Sequence, residues 1–310
     1  MARLGMNPAR KKQSSYKPSE VTVAMVVYIP SLEGYFQQRL EILKVSIQSL
    51  LSNTKTSFDF LVLDNGSTEN VRTYLKELND QGSIDYLVLS SRNLGVEGGL
   101  KVLANTVLGK YMAYTNDDVF YYPGWLQEHL KIMKTFPEVG MVSGAPVGIQ
   151  TTLADRSILN LMDQNLSELS VSRTARNPQW EEDWAKSTGR NLDEHQTFIK
   201  ETPHTLLDYK GVQALGSANH YQFLAPVSVI KKALPDKWRG NLMGGVAELD
   251  RTVDGMGYLR LSTKERYTRH IGNALDDDFK KAANKFIGKA DISWKGSGRN
   301  SWITKVPGVR

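Results

Sequence analysis

In the first 145 residues, short and nearly continuous apolar runs alternate with longer amphipathic segments, and this alternation restricts the fold more than any other feature. The run VTVAMVVYIP, residues 21–30, has no polar face. A strand of that kind must be covered on both sides, which is the situation inside a parallel sheet. The next segment, YFQQRLEILKVSIQSLLSNT, sets Leu40, Leu43, Ile47 and Leu50 at helical spacing and ends near Asn53. FDFLVLDNGST then reads as strand and polar turn, ENVRTYLKELNDQG as a helix closed by glycine, and IDYLVLSS as a strand. GLKVLANTVLG, YMAYTNDD, GWLQEHLKIMKTF and VGMVSGAPV continue as helix, strand, helix and strand. Strands that alternate with helices imply right-handed crossovers and an α/β fold, with a Rossmann-like, mainly parallel sheet flanked by helices.

Ligands of such sheets bind at the carboxyl ends of the strands. Three polar turns fall there: Asp64-Asn65-Gly66-Ser67, Asn93-Leu94-Gly95 and Asn116-Asp117-Asp118. The architecture brings all three to one edge.

Asp117 and Asp118 are the most demanding of these residues. Neighbouring carboxylates beside an apolar segment repel each other and lose hydration. Three uses are open: ligation of Mg²⁺ or Mn²⁺ by hard oxygens, general acid/base work, and capping of the helix that begins near Pro123. A cap accounts for one aspartate only. A metal held by few carboxylates shares its shell with substrate phosphates, so a diphosphate is the natural partner. The P-loop pattern is absent, and GVEGGLK, residues 95–101, lacks the dinucleotide glycine spacing. A sugar nucleotide fits better than a nucleoside triphosphate or a nicotinamide cofactor.

Charge and composition narrow the class further. With no cysteine, the chain has no disulfide, thiolate metal site or cysteine nucleophile. No apolar run approaches the ~20 residues of a spanning helix. The basic start has no apolar segment behind it and is not a secretory signal, so a cytoplasmic location is expected. The formal net charge is +6, yet residues 1–19 hold five Lys/Arg and no acid, and residues 280–310 hold eight and one. Residues 20–279 therefore carry −6. That distribution argues against a nucleic-acid binder and suits basic ends drawn to the anionic inner face of a membrane.

The division expected is a basic flexible tail at 1–19, a nucleotide-sugar-binding half at 20–145, an acceptor-binding half carrying the catalytic base at 146–275, and a basic extension at 276–310. Residues 150–210 are polar with no sustained period. ANHYQFLAPVSVIKKAL reads as a strand entering a helix, and ELDRTVDGMGYLRLSTKERYTRHIG as a short helix, a glycine break and a strand. No dependable pattern follows residue 276.

Four features occur in order: the opening strand into YIP, LVLDNGST, NLGVEGGL and TNDDV. Together they resemble glycosyltransferase family 2, of GT-A fold, over roughly residues 20–145. The resemblance implies an inverting, metal-dependent transfer of a sugar from a UDP-, dTDP- or GDP-sugar to a hydroxyl of a glycan, polysaccharide or glycolipid. It implies that Tyr28 and Pro30 border the base, that Asp64 and Asn65 contact base or ribose, and that Asn93 and Gly95 line the nucleotide pocket. Asp117 would face the ribose or sugar, and Asp118 would hold Mn²⁺ or Mg²⁺. Asn65 departs from the two acids common there. GGVAELDRTVDGMGY, residues 244–258, resembles the family's acidic motif with its acid pair broken by Leu249, leaving Asp250 or Glu248 as the catalytic base. A histidine after that motif returns to the metal in related transferases, which implies His270 as a ligand. His220 either packs in the core or lines the acceptor site, and Trp180, Trp184 and Trp238 either pack or stack on a sugar. Two other classes compete: a sugar-phosphate nucleotidyltransferase, disfavoured by the lack of a Gly- and Lys/Arg-rich loop after the first strand, and a non-catalytic carbohydrate binder on a decayed fold, disfavoured by the presence of Asp117, Asp118 and His270.

Overall fold

The valine-rich run forms β1 (Val21–Val27), and its side chains divide between two cores. Val21, Val23, Met25 and Val27 face one core, and Ala24 and Val26 the other, so neither face is left to water. The computed structural model describes residues 5–148, 155–164, 166–236, 240, 242 and 246–287. After β1 come α1 (Arg39–Asn53), β2 (Asp59–Asp64), α2 (Glu69–Asp80), β3 (Tyr86–Leu89), α3 (Gly95–Thr106) and β4 (Tyr111–Asn116). These crossovers give a parallel block in the order β3-β2-β1-β4, as the alternation requires.

A short β5 (Val119–Tyr121), α4 (Trp125–Thr135) and β6 (Val139–Ser143) follow. The cap residue of α4 is Gly124, in the left-handed region, so neither aspartate of the 117–118 pair caps that helix. The second half contributes α5 (Arg156–Asp163), β7 (Leu169–Thr174), α6 (Pro178–Ser187), α7 (Leu192–Glu201), β8 (His204–Tyr209) and β9 (Val212–Gly216). It continues with β10 (Gln222–Pro226), α8 (Val227–Ala233), α9 (Val246–Gly255), β11 (Leu259–Thr263), β12 (Thr268–His270) and α10 (Asp277–Ile287).

The sheet runs through both halves in the order β3-β2-β1-β4-β10-β6-β11-β9-β8-β7. β10 lies antiparallel between β4 and β6, β11 is parallel to β6, and β9, β8 and β7 add antiparallel strands. The fold is thus α/β with a parallel core inside a mixed sheet. α1, α2 and α4 cover one face, and α3, α8 and α9 the other. Beyond residue 276, where the sequence shows no dependable pattern, α10 sets Phe279 against Phe120 with ring centroids 5.5 Å apart, beside Ile42 and Val45 of α1. Among the described residues no helix is long and apolar enough to cross a membrane.

Two histidines sit inside this packing. His129 Nδ1–H donates to the Trp125 carbonyl at 2.6 Å and its Nε2 accepts from Gln222 Nε2 at 3.2 Å, while His204 Nε2–H donates to the Pro146 carbonyl at 3.1 Å. Burial drives both imidazoles down from 6.5 to about 4, with the charge of Arg176 adding to the effect at His204. Between those values the unfolded chain binds a proton that the folded ring refuses, so stability falls as pH drops through the interval. The expected loss between pH 7 and 4.5 is on the order of 2 kcal/mol per ring. Urea denaturation at both pH values checks this: His129→Gln should show a shallower fall than the native chain.

Candidate active site

The carboxyl ends of β1 to β4 do bring the three polar turns together. Asp64 is fully buried and organises its own turn, accepting from the Ser67 amide at 2.9 Å and from Arg72 Nε at 2.9 Å. Asn65 staples this turn to the next one. Its Nδ2 donates to Asn93 Oδ1 at 3.1 Å and to the Gly95 carbonyl at 3.3 Å, and its Oδ1 accepts from the Leu94 amide at 2.9 Å. Gly66 lets the two turns touch: φ is +93°, and a Cβ would lie 3.0 Å from the Arg92 carbonyl carbon. Tyr28 is half-buried and Pro30 exposed where β1 leaves the sheet, and the Tyr28 amide reaches Asp117 Oδ2 at 3.4 Å.

Asp117 and Asp118 are both buried, and a residue the sequence reading passed over holds them. Arg39, itself buried at the first turn of α1, spreads its guanidinium across the pair. Nη2 pairs with Asp117 Oδ1, and Nη1 donates to Asp118 Oδ2 at 2.6 Å and to the Gly272 carbonyl at 2.9 Å. Polar side chains fix the helix that aims it. Asn53 Nδ2 donates to the Tyr121 carbonyl at 2.8 Å, and Ser49 Oγ accepts from the Tyr121 amide at 3.0 Å. The signal for Arg39 was present: it stands one turn before Leu43, on the stripe that α1 buries.

β12 completes the cluster. It pairs antiparallel with β5, His270 opposite Val119, and the Ile271 amide donates to the Asp118 carbonyl at 2.8 Å. His270 Nε2 thereby comes to 3.3 Å from Asp118 Oδ2. Its Nδ1 lies 2.8 Å from Ser187 Oγ, whose own proton goes to the Trp184 carbonyl at 2.8 Å. Ser187 therefore accepts from Nδ1–H, which leaves Nε2 to donate to Asp118 when the ring is protonated and to ligate a cation when it is neutral. Burial and the neighbouring charge of Asp118 push Asp117 upward against the pull of Arg39. Asp118 is buried as well, but His270 and Arg39 hold it well below the ordinary carboxylate range. The two acids are thus unlike: Asp118 is the firmly ionised one.

The second-half acids separate. Asp250 is fully buried, 3.0 Å from Arg260 Nη2 and 3.0 Å from His220 Nδ1. Glu248, in the first turn of α9, lines a cavity of about 280 Å³ between α3, α8 and α9, together with Glu97, Lys232 and Asp236. Trp184 packs between Arg190, 4.7 Å from its ring, and His195, and Trp180 lies under Arg266 at 5.6 Å. Trp238 lies outside the described residues, as does the extension from residue 288.

A divalent cation suits part of this cluster. Asp118 Oδ1 is buried without a hydrogen-bond partner, and its other oxygen lies 3.3 Å from His270 Nε2, which can ligate a cation from a neutral ring. Among the described residues no group of three or more His, Asp, Glu or Cys forms a closed metal cage. The donor set fits an ion that completes its shell on a ligand.

Known proteins resemble stretches of this chain. An uncharacterized glycosyltransferase of Rickettsia bellii is 30% identical over 95 residues, 29% of this chain and 13% of that protein. One from Nostoc is 25% identical over 97 residues, 31% of this chain and 30% of its own length. One from Haemophilus influenzae is 22% identical over 126 residues, 38% of this chain and 37% of its own. The chain thus matches well under two thirds of each relative. The crystal structure of S. aureus TarS 1–349 is similar at a TM-score of 0.45 and 10% identity, over 81% of this chain and 60% of that one. The model of glycosyl transferase family 2 matches residues 35–210, from before α1 to the end of β8 and more than half the length, and the chain belongs to that family.

Proposed function

We propose that this protein is an inverting glycosyltransferase that moves a sugar from a nucleotide diphosphate to an acceptor hydroxyl with the aid of Mn²⁺ or Mg²⁺. The observation that carries this reading is a buried Asp118 with one unpartnered oxygen and the other 3.3 Å from His270 Nε2, at the strand ends where α/β sheets bind nucleotides. Asp118 and His270 would hold the cation, which when bound supplies positive charge to the departing diphosphate.

The remaining roles belong to the chain. The Asp64–Ser67 and Asn93–Gly95 turns, stapled by Asn65, form the nucleotide side, with Tyr28 and Pro30 bordering the base. Asp117, beside the Tyr28 amide, would meet the ribose or the sugar. Arg39 keeps both carboxylates in position without solvent reorganisation. A base of the second half takes the acceptor proton while the acceptor attacks from the face opposite the diphosphate, which inverts the anomeric centre. A UDP-, dTDP- or GDP-sugar is the donor class, and a glycan or glycolipid the acceptor class. The basic ends suit weak attraction to an anionic membrane surface.

Thermal unfolding with a panel of UDP-, dTDP- and GDP-hexoses, with and without Mn²⁺, tests the reading. A donor at 100 times its Kd should stabilise the native chain by about 2.7 kcal/mol. Asp118→Ala should lose the Mn²⁺-dependent part of that shift and essentially all sugar transfer. Undiminished transfer in Asp118→Ala would sink the assignment.

A second expectation concerns the arginine. Arg39→Gln leaves two buried carboxylates without their counter-ion and should cost about 3 kcal/mol or more. Because Arg39 and a metal share Asp118, millimolar Mn²⁺ should stabilise the variant more than the native chain in denaturant titrations. Equal stabilisation of the two would show that they do not compete.

A further inference from the structure

The acid that the sequence marks as base has no open face. Asp250 is sealed, with one oxygen facing Arg260 Nη2 and the other facing His220 Nδ1, each at 3.0 Å. Arg260 is fixed in turn by donating to the Ala218 carbonyl at 2.7 Å, two residues before His220. An acceptor hydroxyl cannot approach a carboxylate enclosed on both sides.

His220 is the member of this chain of contacts that meets solvent, its side chain being 27% exposed against 0% for Asp250. The Asp250 carboxylate accepts from Nδ1–H, so the neutral ring turns the lone pair of Nε2 outward. Among the described residues nothing hydrogen-bonds that nitrogen. Its place in the sheet is equally specific. β10 pairs with β4 so that Gln222 lies opposite Thr115, and the Asn116 amide donates to the Tyr221 carbonyl at 2.9 Å. His220 stands immediately before that last rung, next to the end of β4 that leads into Asp117. On the neighbouring rung the Tyr221 ring is 5.2 Å from the His270 ring.

We propose that His220 is the general base of the transfer, and that Asp250 is its positioning residue. The inference rests on the glycosyl-transfer reading above. In the step, the acceptor O–H bond breaks and its proton goes to His220 Nε2. The acceptor oxygen forms the bond to the anomeric carbon, and the bond from that carbon to the phosphate oxygen breaks, its electron pair leaving with the nucleoside diphosphate. The imidazolium is stabilised by the ionised Asp250 and later loses the proton to solvent through its exposed edge. A nucleophile's base that is itself oriented by a buried acid is the general logic of such constellations. Arg260 keeps Asp250 from taking the proton itself.

The test uses the full-length protein and follows nucleoside diphosphate released from UDP-, dTDP- and GDP-hexoses with Mn²⁺, water serving as acceptor. His220→Ala and His220→Gln should lose roughly 10²-fold or more in kcat. Their donor KM and their affinity for the bare nucleoside diphosphate, by calorimetry, should stay within about twofold of native, as expected for a group that acts on the proton only. Imidazole added to His220→Ala should restore turnover in proportion to its concentration, which a residue of merely structural importance would not allow. Asp250→Asn should lose less than His220→Ala, and the double variant no more than His220→Ala alone. Native turnover in a folded His220→Gln, or no imidazole rescue of a folded His220→Ala that binds the nucleotide normally, overturns the assignment and leaves glycosyl transfer standing. A native protein that neither binds a nucleoside diphosphate nor releases one overturns both.

Discussion

The guanidinium of Arg39 is what permits two adjacent carboxylates to exist at the edge of this sheet. Two like charges about 4 Å apart repel by about 4 kcal/mol at an effective dielectric of 20, before any cost of burial. Arg39 answers both acids with separate nitrogens and also donates to Gly272, so one side chain fixes the aspartate pair and the chain that follows His270. Its reach depends on α1 lying against β5, which Ser49 and Asn53 secure by bonding the main chain of Tyr121. The charged centre and the packing of the first helix are therefore one structural problem. The neighbouring α10, which packs Phe279 on Phe120, closes the outside of the same corner.

Interleaving of the two halves does the rest. β10 enters the sheet between β4 and β6, and β12 returns to pair with β5. Tyr221 and His270 reach the Asn116–Asp118 turn by those insertions. The site is thus assembled from strand ends far apart in the chain, each held by a hydrogen-bond ladder. Unlike environments then separate the two acids. Burial and its neighbour's charge favour a proton on Asp117, while His270 and Arg39 keep Asp118 ionised.

The first half was legible because its strands are buried on both faces. β1, β2 and β4 read as continuous apolar runs, and the loops between them carry the polar turns. The second half obscured itself for physical reasons. β7, at the sheet edge, is mostly exposed and shows no period, and α5, α6 and α7 are only eight to ten residues long. β5 and β12 have three residues each, too few for alternation to register. Asp118 and His270 meet through that short pair, so sequence position alone could nominate the histidine but not its geometry. Arg39 was hidden by its residue type: an arginine on a helix's apolar stripe reads as a frayed first turn until the acids opposite are known. Asp250 was visible as an acid, but its enclosure depends on Arg260, a side chain from the strand after its own helix.

The same device recurs on either side of β10. Asp117 and Asp118 are buried and answered by Arg39; Asp250 is buried and answered by Arg260. In each case a histidine more exposed than the acid contacts it, His270 at Asp118 and His220 at Asp250. Replacing such buried pairs by apolar residues is often neutral or stabilising, so fold stability alone gives little reason to keep them. What they do provide is fixed charge of known sign in a place water reaches poorly, where a reaction that separates charge gains most from it. On the proposed reading, one acid–histidine pair would receive positive charge as an ion and the other would receive it as a proton. Transfer from a diphosphate to a hydroxyl has these two demands, a leaving group that gains negative charge and a nucleophile that must lose a proton.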